Sequence, residues 1–178
     1  MILAHTCPKE VAVQLAGFFT PEVLYWEDAI LMWSLEWGLD PNLVATVMQI
    51  ESCGDPNATS YAGAMGLFQV MPFHFEEYEN PYAPSINATR GLAYLSMSLN
   101  SHNGNIRLAF AGYNGGITNS FRSESAWPSE TTRYTYWGVN IYQDASAGRS
   151  VSATLDEWLA SGGASLCLQA SQRLGIAL

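Results

Sequence analysis

Apolar residues along this chain recur every three or four positions, the period of an α-helix, and no stretch alternates apolar and polar residues as a half-buried strand would. The first periodic run starts at Thr20-Pro21, a pairing typical of a helix N-terminus, and stops at Gly38. We therefore expect an early helix that buries one face. Its apolar positions are Val23, Trp26, Ile30, Trp33 and Trp37.

The rest of the chain reads as further short helices. Residues 57–72 are rich in Gly, Ser and Ala and are expected to form a structured loop that ends at Pro72. No repeat or low-complexity linker divides the chain, so the sequence predicts a mostly α, single-domain protein over residues 1–178, with little or no β-sheet. Helices are predicted from Asp40 to about Ser52, from Ala88 to Ser101, from Ile106 to Tyr113, from about Ser129, and over 152–163 and 164–175.

The helix predicted from Asp40 carries a glutamate, Glu51, in its last turn. Val44, Val47 and Met48 share its face, so the carboxyl should point into the protein or into the wall of a cleft. Burial and the negative end of the helix dipole both raise the pKa of such a carboxyl. A glutamate that keeps its proton near neutral pH can serve as a general acid. Spacing leaves an alternative open, a glutamate at a frayed helix end with its carboxylate in water.

Composition excludes several classes of protein. The chain has 178 residues, 48% hydrophobic and 13% charged, which suits a globular domain rather than a disordered one. Its net charge of −9 and its lack of a basic cluster argue against nucleic acid as a partner. The apolar runs are too short for a transmembrane segment, and the opening residues, MILAHTCPKE, lack the features of a signal peptide.

Three cysteines, Cys7, Cys53 and Cys167, allow at most one intramolecular disulfide. We hypothesise that it joins Cys53 to Cys167, because this bridge would tie the C-terminal segment to the segment beside Glu51. Closing so long a loop would stabilise the fold by about 4–5 kcal/mol in the chain-entropy model. The alternative is three free thiols in a reducing compartment. Neither the cysteines nor the scattered histidines have the spacing of a metal site, and we expect no metal and no cofactor.

Four sequence blocks, in the same order, resemble the catalytic domain of soluble lytic transglycosylases. These are lysozyme-like enzymes that cut bacterial peptidoglycan and share their fold with goose-type lysozymes. The blocks span about residues 25–143, and four of them in register are a specific signal. They are IES (50–52) followed by SYAGAMGLFQVMP (60–72), NPYAPSINATRGLAYL (80–95), LAFAGYNGG (108–116) and PSETTRYTYW (128–137).

The resemblance implies a single lysozyme-like domain with a substrate cleft, in which Glu51 is the sole catalytic acid and base. Residues 144–178 match no motif of the family and are expected to be a helical C-terminal extension packed on the domain. Glu130 belongs to the last block, but its place in the first turn of a helix favours a structural role. The substrate-binding residues that the resemblance implies are Ser52, Gly63, Gly66, Gln69, Tyr113, Asn114 and Tyr134.

Two positions depart from the family pattern. Tyr113 and Asn114 are flanked by Gly112 and Gly115 where alanines are usual. The polar pair is kept, but the backbone around it is more flexible. Cys53 follows the Glu-Ser pair where the family has a different small or aromatic residue.

The resemblance further implies cleavage of the MurNAc–GlcNAc β-1,4 bond by lytic transglycosylation, which leaves 1,6-anhydroMurNAc ends. Glycosidases usually use two carboxylates, and the motif blocks offer one, which suffices if the substrate supplies its own nucleophile. One alternative is a hydrolytic muramidase of the goose type, in which Asp55 or a more distant acid assists water. Another is an inactive peptidoglycan-binding module. The expected partner is the peptidoglycan glycan strand, bound by a monomer in the periplasm, in the cell wall or outside the cell.

Overall fold

The computed structural model describes residues 14–176, which contain nine α-helices and a long connection, residues 53–83, between the third and the fourth. The only bridges among these residues are two isolated ones, from Met65 to Thr59 and to Val70, so the prediction of a mostly α chain is confirmed. No helix in this range has the length and apolarity needed to cross a bilayer. The helices are α1 (Pro21–Leu24), α2 (Glu27–Trp37), α3 (Pro41–Ser52), α4 (Pro84–Ser101), α5 (Ile106–Gly115), α6 (Ile117–Ser120), α7 (Ser129–Ser146), α8 (Ala153–Trp158) and α9 (Ala164–Leu174).

Helix α5 is the central element and packs against both α4 and α7, and α3 also packs against α7. Ala109, Phe110 and Ala111 of α5 are fully buried. Gly138 makes the close approach of α7 possible, since a Cβ there would lie 2.5 Å from the ring of Phe110. The helices that supply the cleft residues are thus fixed by dense packing in the core.

Helix α3 forms where the sequence predicts it. The side chain of Asp40 accepts hydrogen bonds from the backbone N–H groups of Asn42 (2.8 Å) and Leu43 (3.4 Å), which caps the helix. Every residue from 43 to 50 is buried, so α3 is covered by protein on nearly all sides and not only along its apolar face. The helix ends at Cys53, which adopts the left-handed conformation with φ 52°, and Gly54 follows with φ 80°.

The first periodic run forms two helices, α1 and α2, instead of one. The break falls at Tyr25-Trp26, where the indole N–H of Trp26 donates to the carbonyl oxygen of Gly54 at 2.9 Å. Thr20 does not cap α1 with its side chain; its hydroxyl donates to the side-chain oxygen of Gln49 at 3.2 Å. Both differences arise from contacts with the end of α3, which local spacing cannot reveal. Helix α4 also begins at Pro84 rather than at Ala88.

The loop over residues 57–72 is held in one conformation by Asn87 of α4. Its side-chain oxygen accepts from the N–H of Phe68 (2.8 Å), and its amide nitrogen donates to the carbonyl oxygens of Met65 (2.7 Å) and Pro81 (2.9 Å). Gly66, at φ 74°, lies directly under this amide, and a Cβ there would collide with it. A buried amide with these three partners fixes the position of the loop.

The hypothesis of a disulfide between Cys53 and Cys167 is confirmed, with the two Cα atoms 5.0 Å apart. The bridge joins α9 to the residue that ends α3, and α9 also packs against α1. Beside the sulfurs the hydroxyl of Ser171 donates to the carboxylate of Glu22, and both residues are buried. The third cysteine, Cys7, lies outside the described residues.

Candidate active site

A cleft runs across the surface formed by α3, α5, α7 and the 57–72 loop. It consists of three adjoining cavities of about 430, 340 and 250 Å³, and all three are lined by Gln69 and Asn114. Glu51 lines the two larger cavities. A long cleft with an acid near its middle suits an extended polymeric ligand.

Glu51 reaches the cleft from the last turn of α3. The residue is partly exposed, but protein atoms surround most of its carboxyl group, and this desolvation raises its pKa from 4.5 to about 8. The hydroxyl of Tyr134 opposes the shift, and the charge of Glu130 adds to it. At neutral pH the carboxyl is therefore mainly protonated, as a general acid must be.

Two tyrosines flank this acid. The hydroxyl of Tyr113 donates to the carbonyl oxygen of Phe68 at 2.8 Å, so its position is fixed. The hydroxyl of Tyr134 lies near the carboxyl of Glu51 and influences its pKa, yet it is buried and makes no well-aligned hydrogen bond within the described part of the chain. Burial raises the pKa of both phenols well above the ordinary value, so both remain neutral. A buried hydroxyl without a partner can bond to a ligand without first breaking another bond.

Gln69 and Asn114 offer complementary groups to the cleft. The amide nitrogen of Gln69 donates to the carbonyl oxygens of Gly66 (3.0 Å) and Ala58 (3.2 Å), which leaves its amide oxygen as the acceptor for a ligand. The side-chain oxygen of Asn114 accepts from the Thr131 hydroxyl at 2.9 Å, which leaves its amide nitrogen as a donor. An acceptor and a donor with fixed orientations are what recognition of sugar hydroxyl or acetamido groups requires.

Three of the predicted binding residues do not line the cleft. Ser52 is buried, and its hydroxyl donates to the carbonyl oxygen of Leu67 at 2.7 Å. Gly66 is covered by Asn87, as described above. Gly63, at φ 88°, lies in a turn whose neighbours Ala62 and Ala64 line the cleft although Gly63 itself does not. Their substrate-binding roles stay predictions, and their observed role is to shape the loop.

Sequence reasoning did not assign Glu130, Arg133 or Trp137 to the site, yet all three line the largest cavity together with Tyr134. They occupy one face of α7 at helical spacing from Tyr134, a signal that was available in the PSETTRYTYW block. Gln169 and Arg173 of α9 line the same cavity. The hypothesised bridge from Cys53 to Cys167 placed this segment beside Glu51, but no local pattern indicated which side chains of α9 face the cleft.

The opposite end of the cleft is aromatic. Phe73, His74, Tyr94 and Tyr113 line the smallest cavity, and the ring centroids of His74 and Tyr94 are 5.0 Å apart. Partial burial, with a contribution from the charge of Arg90, lowers the pKa of His74, so the ring is neutral at pH 7. Flat aromatic surfaces of this kind can stack against the apolar faces of sugars.

Within residues 14–176, potential metal ligands converge at one place, formed by Glu22, Cys53 and Cys167. The two sulfurs are joined in the disulfide, so neither is available as a thiolate ligand.

The chain is similar to known transglycosylases. The sequence model of the transglycosylase SLT domain family matches residues 28–134. A transglycosylase of Enterobacteria phage PRD1 is 39% identical over 113 residues, which cover 62% of this chain and 40% of that protein. Membrane-bound lytic murein transglycosylase C of Actinobacillus pleuropneumoniae serotype 5b (strain L20) is 34% identical over 34% of this chain and 20% of that protein. The chain thus spans two fifths or less of the length of these relatives.

Among solved structures, an X-ray structure of an inactive mutant of lytic transglycosylase Slt from Pseudomonas aeruginosa aligns with 85% of this chain and 24% of that one. The TM-score is 0.49 and the sequence identity 22%.

Proposed function

Because this chain belongs to the transglycosylase SLT domain family, we propose that it cleaves the MurNAc–GlcNAc β-1,4 bond of peptidoglycan by lytic transglycosylation, with Glu51 as its single catalytic residue. The observation that carries the proposal is the desolvated carboxyl of Glu51 at the middle of an elongated cleft, with a pKa of about 8. This is a protonated acid placed where a glycan strand would pass.

The proposed reaction needs one proton donor and no water. Glu51 gives its proton to the glycosidic oxygen as the bond from that oxygen to C1 of MurNAc breaks, and GlcNAc leaves with a free 4-hydroxyl. The Glu51 carboxylate then removes the proton of the MurNAc 6-hydroxyl as its oxygen bonds to C1. The products are a 1,6-anhydroMurNAc end and a GlcNAc end, and the acid is regenerated.

The side chains around Glu51 fit these steps. Tyr134 has a buried hydroxyl free to bond to the reacting sugar or to the Glu51 carboxylate as that charge develops. Gln69 and Asn114 offer an acceptor and a donor on either side of the acid, which would orient the strand in the cleft. We propose that these four residues hold the sugar whose bond is cleaved.

The hydrolytic alternative would call on Asp55 as a second acid. Asp55 also lines the cleft, but its side chain is almost fully buried and accepts hydrogen bonds from Arg173 (3.1 Å) and from the N–H of Asn57 (2.9 Å). A carboxylate held by these two donors is poorly disposed to take a proton from water. We therefore favour a reaction in which the substrate's own hydroxyl is the nucleophile.

The decisive experiment is mass spectrometry of the products released from purified peptidoglycan in H₂¹⁸O. Lytic transglycosylation yields anhydro-muropeptides without ¹⁸O, whereas hydrolysis yields reducing ends that carry one ¹⁸O. We expect the anhydro products from the wild type and none from Glu51→Gln, while Glu36→Gln, an exposed control on α2, behaves as the wild type.

Two results would contradict the proposal. Labelled reducing ends would establish a hydrolytic muramidase, and strand binding without any product would establish a binding module.

We also propose that the protein acts outside the cytoplasm, where its substrate lies. The disulfide between Cys53 and Cys167 supports this location, because such bonds persist in oxidising compartments.

A further inference from the structure

Helix α9 forms one wall of the cleft, beyond the position of Glu51. Leu166, Gln169 and Arg173 lie three and four residues apart on one face of this helix, and all three line the largest cavity. The helix lies outside residues 28–134, the part of the chain that the family model matches. The family model therefore does not describe this wall.

The other face of α9 is anchored in the protein. Cys167 is joined to Cys53, Ala170 is fully buried, and the Ser171 hydroxyl donates to Glu22. One face is thus fixed by a covalent bond and by packing, while the opposite face is held towards the cleft. Side chains on a fixed helix can form a specific binding site.

Two guanidinium groups stand in this part of the cleft. Arg173 pairs with the nearly buried Asp55 through one nitrogen at 3.1 Å, and 41% of its side chain remains exposed. Arg133 of α7 is exposed, lines the same cavity, and forms no ion pair within residues 14–176. By contrast Arg90, Arg107 and Arg149 are each paired with acids elsewhere on the surface.

The acids that line this cavity differ in how much of the charge of the two arginines they offset. Asp55 is committed to Arg173, and Glu51 is mainly protonated at neutral pH. Glu130, one turn before Arg133 on α7, is the remaining acid of the cavity. The chain as a whole carries a net charge of −9. This cavity, with two arginines and one free carboxylate, is a local exception to that excess of acids.

We propose that Arg133, Gln169 and Arg173 form a subsite that binds a carboxylate of the substrate, carried by the stem peptide or by the lactyl group of MurNAc. The inference rests on the proposed function, because it takes peptidoglycan as the ligand of the cleft. Guanidinium groups bind carboxylates through paired, charge-assisted hydrogen bonds, whereas sugar hydroxyls alone do not require them. Leu166 and the half-buried Trp137 supply apolar surface for the carbon chain of a peptide.

The test measures binding without cleavage, by isothermal titration calorimetry on the Glu51→Gln protein. The ligands are a GlcNAc–MurNAc disaccharide with its stem peptide, the same disaccharide with a free lactyl carboxylate, and a neutral chitin oligomer. We expect Arg133→Gln to weaken binding of the peptide-bearing ligand about tenfold or more, the usual value of a charge-assisted hydrogen bond, and to leave the chitin oligomer unaffected.

The pattern across ligands identifies the source of the carboxylate. The lactyl carboxyl is an amide when the stem is attached, so a loss confined to the peptide-bearing ligand assigns the subsite to the stem. A loss confined to the peptide-free disaccharide assigns it to the lactyl group, and losses with both ligands mean that it accepts either carboxylate. No loss with either ligand, an equal loss with the neutral oligomer, or the absence of binding altogether would overturn the subsite.

Matched variants separate this effect from damage to the fold. Arg173→Lys keeps a charge for Asp55 but loses the planar guanidinium, and it should weaken binding in the same direction. Arg149→Gln, at a surface ion pair with Asp144, is the control and should change nothing.

If the wild type releases no product while Arg133→Gln still loses binding, the proposed function fails and the subsite stands. If the wild type cleaves and Arg133→Gln binds normally, the subsite alone fails.

Discussion

The hydroxyl of Tyr134 lies near the carboxyl of Glu51; it is buried and makes no well-aligned hydrogen bond within the described residues. The two groups therefore titrate as neighbours: the phenol stabilises the carboxylate form of Glu51, and burial destabilises it. The balance sets the proton on Glu51 near neutral pH. The pH dependence of the reaction therefore tests the role proposed for this pair.

Replacing Tyr134 with Phe should raise the pKa of Glu51 further, because it removes the one group that lowers it. The alkaline limb of the pH–rate profile should move to higher pH. The rate at neutral pH should fall about tenfold, because the hydrogen bond proposed to form from this hydroxyl during the reaction is lost. Product release measured from pH 5 to 10 checks both effects. Tyr136→Phe, at an exposed hydroxyl of the same helix, should leave the profile unchanged. An alkaline limb that stays in place would separate Tyr134 from the titration of Glu51.

The raised pKa of Glu51 makes the free energy of unfolding depend on pH. Below pH 4.5 the carboxyl is protonated in both states and the pKa shift costs nothing. Between pH 4.5 and about 8 the unfolded chain releases this proton while the folded chain keeps it, so stability falls as pH rises. Glu51→Gln should therefore be more stable than the wild type at pH 8 by on the order of a few kcal/mol.

Urea denaturation of both proteins at pH 4 and pH 8 measures this difference. The advantage of Glu51→Gln should shrink towards zero at pH 4. A constant difference at both pH values would mean that the carboxyl is solvated in the folded protein.

Loss of the disulfide should destabilise the protein and deform the cleft. The bridge closes a loop with a sequence separation of 114 residues, so Cys53→Ser with Cys167→Ser should lower the free energy of unfolding by about 4–5 kcal/mol in the chain-entropy model. Thermal denaturation of this double variant measures the cost. A thiol titration of the denatured, unreduced wild type provides the control, and three free thiols would refute the bridge.

Gly91→Ala should destabilise the fold although alanine favours a helix by about 1 kcal/mol over glycine. A Cβ at this position of α4 would lie 2.6 Å from the Cβ of Phe68 and 3.2 Å from the hydroxyl oxygen of Tyr113. Overpacking of this kind costs about 1–3 kcal/mol and should also displace Tyr113 from the cleft. Denaturation curves and product release measure both effects. Thr89→Ala, on the exposed side of the same helix, should change neither by much.

The parts of the fold that depend on neighbours in sequence could be predicted. Asp40 and Pro41 start α3 by local capping, and the apolar spacing within that helix places Glu51 on its inner face. The break before α2 could not be predicted, because it depends on the bond from Trp26 to Gly54, 28 residues away. Local rules describe one helix at a time and carry no information on which helix ends meet.

The same distinction divides the candidate site. Motif resemblance indicated Glu51, Gln69, Tyr113, Asn114 and Tyr134, and the structure brings these five side chains to one cleft. It gave no hint of Arg173, which reaches the cleft because of a disulfide and an ion pair that each span more than a hundred residues. A motif gives no information on segments of the chain that lie outside it.

The bridge between Cys53 and Cys167 also determines when the cleft is completed during synthesis of the chain. Cys53 and the helix that bears Glu51 are synthesised early, and Cys167 follows 114 residues later. The bond that fastens α9 can form only after both sulfurs have met an oxidant. A newly made chain in a reducing cytoplasm thus lacks the fastening of one cleft wall, and it acquires the finished cleft only where the surroundings are oxidising. If the protein acts outside the cytoplasm as proposed, oxidation is the last step in the maturation of its cleft.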